Sequence, residues 1–115
     1  MRKYRVRISP EAKQDTLGIS EYISNELFSI QSAQRFIHKL HYALSSLSQM
    51  PERYPIWLEE SDSGYPIRIM PVENYVVFYE IHPDRNQVQI LRILYKAQNY
   101  SAHVHEEEPF YEVTT

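Results

Sequence analysis

Arg92 interrupts the run Val88, Ile90 and Leu94 at a point where an apolar residue would cost less, and Tyr95, Lys96 and Tyr100 follow it at the exit of the same segment, with His103 beyond. Together with Arg68, these are the side chains best suited to chemistry at a phosphate. Metal-independent cleavage of an RNA backbone needs cations around the phosphoryl group in flight, a base for the 2′-hydroxyl and an acid for the leaving oxygen. In that chemistry Arg68 and Arg92 hold the phosphate, Tyr95, Tyr100 or His103 move protons, and Lys96 serves in either role. The same residue types have plainer uses. An arginine in a strand stacks on a tyrosine or pairs with an acid such as Glu80 across a hairpin, and this structural use is favoured for Arg92. Tyr75 and Tyr79 alternate beside Phe78 and read as sheet core, whereas Tyr95 and Tyr100 are better placed to be exposed.

Other chemistries are poorly supplied. The chain has no cysteine, so disulfides, thiolate zinc sites and a cysteine nucleophile are excluded, which suits a cytoplasmic protein. With only Gly18 and Gly64 there is no glycine-rich phosphate loop, and no serine has the surroundings of an activated nucleophile. His103 and His105 fall on one side of an extended segment near Glu106, but the ligand set is thin, so neither a metal nor a cofactor is expected. His38 and His41 lie one helical turn apart on a flank away from the apolar stripe and read as surface residues.

A length of 115 residues fits one domain, and 43% hydrophobic residues suffice for a single core. The basic start, Arg2, Lys3, Arg5 and Arg7, has no apolar stretch behind it and is not expected to be a signal peptide. No membrane association is expected, because the apolar run Tyr75 to Tyr79 is far short of the roughly 20 residues a spanning helix needs. The net charge of −3 argues against a generally basic nucleic-acid binder. Its distribution is uneven. The first thirteen residues carry Arg2, Lys3, Arg5, Arg7 and Lys13 against Glu11 alone, while the segment from Ser101 holds Glu106, Glu107, Glu108 and Glu112 and no cation. One end is therefore able to meet an anionic partner, and the acidic tail to shield it, although a solvated surface is the simpler reading of both.

The elements that must position these residues follow from periodicity. Tyr4, Val6 and Ile8 alternate with Lys3, Arg5 and Arg7, the pattern of a strand with one buried face. Ser9, Pro10 and Glu11 then supply an N-cap, a proline suited to the first helical turn and a charge that complements the helix dipole. The first helix carries Ala12, Thr16, Ile19 and Ile23 on one face, extending toward Leu27. A second, capped by Ser29 or Ser32, carries Ala33, Phe36, Ile37, Leu40, Leu44 and Leu47, and must end near Met50 because Pro51 follows. Residues 51 to 66 read as a loop. Three strands come next, at Ile67 to Ile69, Tyr75 to His82 and Val88 to Tyr95, the last two joined by the turn formers between Pro83 and Gln87. The order β-α-α-β-β-β predicts an α+β domain, an antiparallel sheet covered on one face by a helical hairpin, over residues 1–100, followed by an acidic tail over 101–115.

Four stretches in this order resemble the RelE/ParE superfamily of toxins from bacterial type II toxin–antitoxin systems: YRVRISPEA at 4–12, MPERYP at 50–55, RIMPVENYVVFYEI at 68–81 and VQILRILY at 88–95. The resemblance covers about residues 3 to 100. It implies the same β-α-α-β-β-β fold and a cognate antitoxin as partner, with self-association where the antitoxin is missing. It also implies one of two targets: RelE-like members cleave mRNA on the ribosome, whereas ParE-like members inhibit DNA gyrase by binding. Val76 stands where the nuclease branch often places an arginine, and Ala97 stands near its arginine after the last strand. Two cationic stabilisers are thus missing. The ParE-like branch commonly ends the last strand with histidine, a spacer and arginine, where this chain has Tyr95, Lys96, Ala97 and Gln98. The balance favours a ParE-like toxin whose Tyr95, Lys96, Tyr100 and His103 contact the target. The alternatives are a nuclease using Arg68, Arg92, Lys96 and Tyr100, and an inactive relic that keeps only antitoxin binding.

Overall fold

A computed structural model describes residues 2–98 and 111–113. Strand β1 (Arg5–Ile8) leads into helices α1 (Pro10–Glu26) and α2 (Ile30–Ser46), and β2 (Ile56–Leu58), β3 (Ile67–Val72), β4 (Tyr75–His82), β5 (Gln87–Tyr95) and β6 (Tyr111–Glu112) follow. The sheet order is β2-β3-β4-β5-β1-β6, in which β1 runs parallel to β5 and every other neighbouring pair is antiparallel. The α+β order expected from the sequence is therefore present. It differs in three ways. The loop expected over 51–66 contains a short 3-10 turn, Pro51–Arg53, and the edge strand β2. The sheet is mixed, because the chain returns to β1 only after the whole helical hairpin and β-meander have been laid down. The tail contributes β6 on the outer edge of β1.

The caps explain where the helices start. The Ser9 hydroxyl accepts the Ala12 N–H at 3.0 Å and donates to the Leu91 carbonyl at 2.7 Å, so one buried residue both caps α1 and ties it to β5. Ser29, not Ser32, caps α2, accepting the Ser32 N–H at 3.0 Å. At the other end of α1 the Ser29 N–H reaches back to the Ser24 carbonyl, a Schellman closure that puts Phe28 in the left-handed region at φ 50°. Glycine is the usual residue there. Phe28 is 93% exposed and gains little packing for the strain, and Leu27, expected at the end of the buried stripe, is exposed beside it. Phe28→Gly is expected to raise stability by about 1 kcal/mol in urea denaturation, the approximate left-handed penalty of a residue with a Cβ. A loss of stability would show that Phe28 makes a folded-state contact.

The helical stripes cover one sheet face: Ala12, Ile19, Ile23, Phe36, Leu40 and Leu44 pack with Val6, Met70, Val77, Tyr79, Val88 and Ile90. The opposite face has its own buried cluster, Ile67, Val76, Phe78, Leu91 and Leu94, with Trp57 of β2 edge-on to Phe78 at 5.0 Å. Burial on both faces is why β4 reads as a continuous apolar run instead of an alternating one. A bulge interrupts the β4–β5 ladder: Phe78 pairs with Arg92 and Tyr79 with Ile90, leaving Leu91 as the extra residue. The phase of β5 slips there, so Val88, Ile90 and Ile93 face the helices while Leu91 and Leu94 face away.

Between β3 and β4, Glu73 adopts φ 55° and its carboxylate receives Arg35 at 3.0 Å and Lys39 at 3.1 Å, stapling α2 to the hairpin. Hydrogen bonds from Arg35 and then Lys39 hold the Glu73 carboxyl below the ordinary glutamate range. A depressed carboxylate stabilises the fold above its unfolded pKa, and this contribution disappears as the pH falls through the folded value. Glu73→Gln is expected to cost about 0.5–1 kcal/mol at pH 7, small because the groups are solvent-screened. The gap to the parent chain should close as the pH drops below the ordinary glutamate value of about 4.3. A gap that persists into stronger acid would point to packing instead of charge.

Candidate binding site at the end of the last strand

The exit of β5 lies over α1, and an arginine of the strand meets the helix there. Arg92 meets Asp15 of α1 side-on, with Nε to Oδ2 at 2.7 Å and Nη2 to Oδ1 at 2.8 Å, and the same Asp15 Oδ2 accepts the Ile93 N–H at 2.9 Å. This fork is the strongest ion pair geometry available to an arginine. The Asp15 hydrogen bonds raise the already high pKa of Arg92 further. The pairing with Glu80 expected from the sequence does not occur, because Asp15 takes the Arg92 guanidinium and Glu80 stands opposite Gln89 in the ladder. The Glu80 carboxylate faces His82 Nε2 at 2.8 Å and receives the Ser63 hydroxyl at 2.5 Å. Tyr65 stacks on His82 at 3.7 Å and donates to Asp84 at 2.7 Å, a bond that lowers the Asp84 pKa. Glu80 and His82 are buried, so this cluster fastens the loop before β3 to the sheet.

Arg68 is equally committed. Its Nη1 donates to the carbonyls of Tyr54 at 2.6 Å and Glu52 at 3.0 Å, while Tyr79, opposite it in register, donates its phenol to the Pro51 carbonyl at 2.5 Å. Two strands thus grip the Pro51–Arg53 turn, and burial pushes the Tyr79 phenol well above the usual tyrosine range. Arg68 works on that turn and Arg92 on α1. The structure brings neither into a shared site with the other.

What does assemble at the end of β5 is aromatic. Tyr95 packs edge-on against Tyr75 at 5.7 Å, and Tyr75 lies against Phe36 of α2 at 5.2 Å. Burial, with lesser contributions from Tyr22 and Tyr95, raises the Tyr75 pKa, so it remains a neutral phenol. Tyr75 and Tyr95, with Tyr22, Arg92 and Gln98, line a groove of about 560 Å³ between α1 and β5. The strand is closed by a turn in which the Gln98 N–H donates to the Tyr95 carbonyl at 3.0 Å and the Gln98 side chain accepts the Tyr95 N–H at 3.2 Å. Tyr95 is 49% exposed and Lys96, whose N–H is held by the Asn74 carbonyl at 3.0 Å, presents its side chain to solvent. Tyr75 and Tyr79 belong to the helix-side core, Tyr75 only partly buried, in line with the sequence. His38 and His41 are exposed. Tyr100, His103 and the candidate metal ligands His105 and Glu106 lie outside the described residues. Asp15 and Tyr22 were not legible as site residues, since each sits on α1 far in sequence from β5 and only the packing of the helix on the strand brings them beside it.

A two-helix hairpin laid on an open sheet is the architecture that the resemblance to the RelE/ParE toxins implied. The family model described as ParE toxin of type II toxin-antitoxin system, parDE, matches residues 6–100, and the chain belongs to that family. Solved structures agree in fold. The chromosomal ParDE system of P. aeruginosa superposes with a TM-score of 0.67 at 15% identity, covering 83% of this chain and 98% of that one. The RelBE2 toxin–antitoxin complex of Mycobacterium tuberculosis gives 0.55 at 20% identity, covering 85% and 97%. The archaeal RelE–RelB complex of Pyrococcus horikoshii OT3 gives 0.58 at 13% identity, covering 84% and 99%. No curated protein matches the chain. Among the described residues, no helix is long and apolar enough to cross a membrane.

Proposed function

We propose that this chain is a ParE-like toxin that acts by binding DNA gyrase, without chemistry of its own, and is neutralised by a cognate antitoxin. The observation that carries this reading is the commitment of both candidate phosphate-binding cations to the fold: Arg92 to Asp15, Arg68 to the Glu52 and Tyr54 carbonyls. A guanidinium already saturated by a carboxylate has little field left for a phosphoryl group in flight. Exposed Tyr95 and Lys96 beside an aromatic groove suit an interface instead, where tyrosine supplies area at small entropic cost and a rim cation steers the encounter.

Family membership and the two similar structures described as toxin–antitoxin complexes support the antitoxin as partner. Exposed Leu17, Leu27, Phe28 and Ile30 on the helical hairpin give it apolar surface to cover, and the same surface favours self-association when it is missing. Purified protein added to a supercoiling reaction is expected to inhibit gyrase in proportion to its concentration and to leave translating mRNA intact. Codon-spaced cleavage of mRNA on ribosomes, with supercoiling unaffected, would replace this reading with the nuclease one.

A further inference from the structure

The outer edge of β1 is closed by the chain itself. The edge exposes the backbone groups of Tyr4, Val6 and Ile8: the Tyr4 N–H is taken by the Ser48 carbonyl at 2.7 Å, and the Val6 carbonyl accepts the Val113 N–H at 2.6 Å. Tyr111 lies opposite Ile8 and Glu112 opposite Arg7. Charge complements the pairing. Glu112 approaches Arg7 at 3.9 Å, and the Lys13 ammonium sits 4.2 Å from the centre of the Tyr111 ring. Val113 packs on the edge of the helix-side core. Each of these contacts is partly exposed and, among the described residues, two are in register, so the pairing seen is a light one. Two grooves flank it and both are lined by Glu112 and Val113: an apolar one of about 310 Å³ bounded by Ile8, Leu17 and Leu40, and a more polar one of about 520 Å³ beside Lys3, Arg5 and Ser48. A partner strand longer than Tyr111–Val113 would reach into both.

We propose that Tyr111–Val113 is a built-in occupant of a strand-accepting basic edge, and that this edge receives an extended segment of a protein partner with the same chemistry. The segment would place an aromatic ring on Lys13, a carboxylate against Arg7 and an aliphatic residue at the apolar groove. Main-chain bonds to an exposed sheet edge supply affinity, and alternate side chains supply selectivity. The tail competes as a tethered ligand at high effective concentration, so it sets how readily any such partner enters. The inference does not depend on gyrase being the target.

The probe is a fluorescent peptide with the sequence of residues 109–115, titrated by anisotropy against the full chain and against a chain ending at Phe110. The shortened chain is expected to bind at least ten-fold more tightly than the full chain, and Glu112→Lys in the peptide to weaken binding several-fold. Equal binding by the two chains, no binding to a shortened chain that still melts cooperatively, or dimerisation of that chain without peptide binding would overturn the proposal. A second variant keeps the test independent of truncation. Arg7 and Glu112 face each other at a non-hydrogen-bonded position, and the sequence has no cysteine, so Arg7→Cys with Glu112→Cys offers a single cystine that locks the strand. Oxidation is expected to reduce peptide binding at least ten-fold relative to the same variant reduced; identical binding in the two states would overturn the proposal.

Discussion

Asp15→Ala is expected to lower stability by about 2–3 kcal/mol, among the largest losses available to any single polar residue of this fold. The estimate starts from the cost of breaking a buried ion pair, about 3–5 kcal/mol, discounted because the two side chains keep 12% and 17% of their exposure. Two losses combine. The Arg92 guanidinium loses its two-point partner in a part-buried site, and the Ile93 N–H loses its acceptor next to the bulge. Replacing both members, Asp15→Leu with Arg92→Met, should recover much of the loss, since an apolar pair of similar volume has no charge to strand. Chemical denaturation of the three proteins measures this directly. A cost below about 0.5 kcal/mol for Asp15→Ala would place the pair among surface salt bridges. The result also governs how toxicity data are read, because an Arg92 variant that loses toxicity through unfolding says nothing about catalysis.

Tyr95→Ala combined with Lys96→Ala is expected to weaken gyrase inhibition about thirty-fold or more, the scale of a truncated hot spot worth about 2 kcal/mol. Its structural cost should be modest. Tyr95 forfeits one edge-on contact with Tyr75, about 1 kcal/mol, while the Lys96 side chain is exposed and its backbone bond to Asn74 survives the substitution. Lys96→Ala alone separates the contributions, since it should reduce inhibition, most visibly at low salt, with unfolding unchanged. Retention of full inhibition by the double variant would move the interface away from the end of β5. Loss of inhibition with an unfolding transition displaced far beyond about 1 kcal/mol would instead mark a folding defect.

Much of the scaffold is written in local patterns. The alternation around Val6, the Ser9–Pro10 start of α1 and the stripe through Phe36 and Leu44 each depend on residues a few positions apart, and each appears where it was expected. Features that depend on distant partners were not legible. Trp57 gives β2 no usable period in a three-residue strand, and its edge-on contact with Phe78 exists only once β3 has been laid between them. The parallel pairing of β1 with β5 is a matter of chain return, not of side-chain pattern. Arg92 shows the same limit within the site. Its anomaly in an apolar strand was visible, but its partner Asp15 lies on α1, 77 residues away in sequence, and no spacing along β5 points to it. The tail was visible as an acidic counterpart to the basic start, and residues 111–113 do meet β1 beside Arg7 and Lys13.

The measurement closest to the central claim is a pulse-label in cells. The chain is expressed from a tightly repressed promoter, and DNA and protein synthesis are followed separately through the first minutes after induction. A toxin that binds gyrase should depress DNA synthesis first, with translation following later, and co-expression of the antitoxin should abolish both effects. A fall in protein synthesis ahead of DNA synthesis would contradict the account and return Arg68 and Arg92 to consideration as catalytic groups.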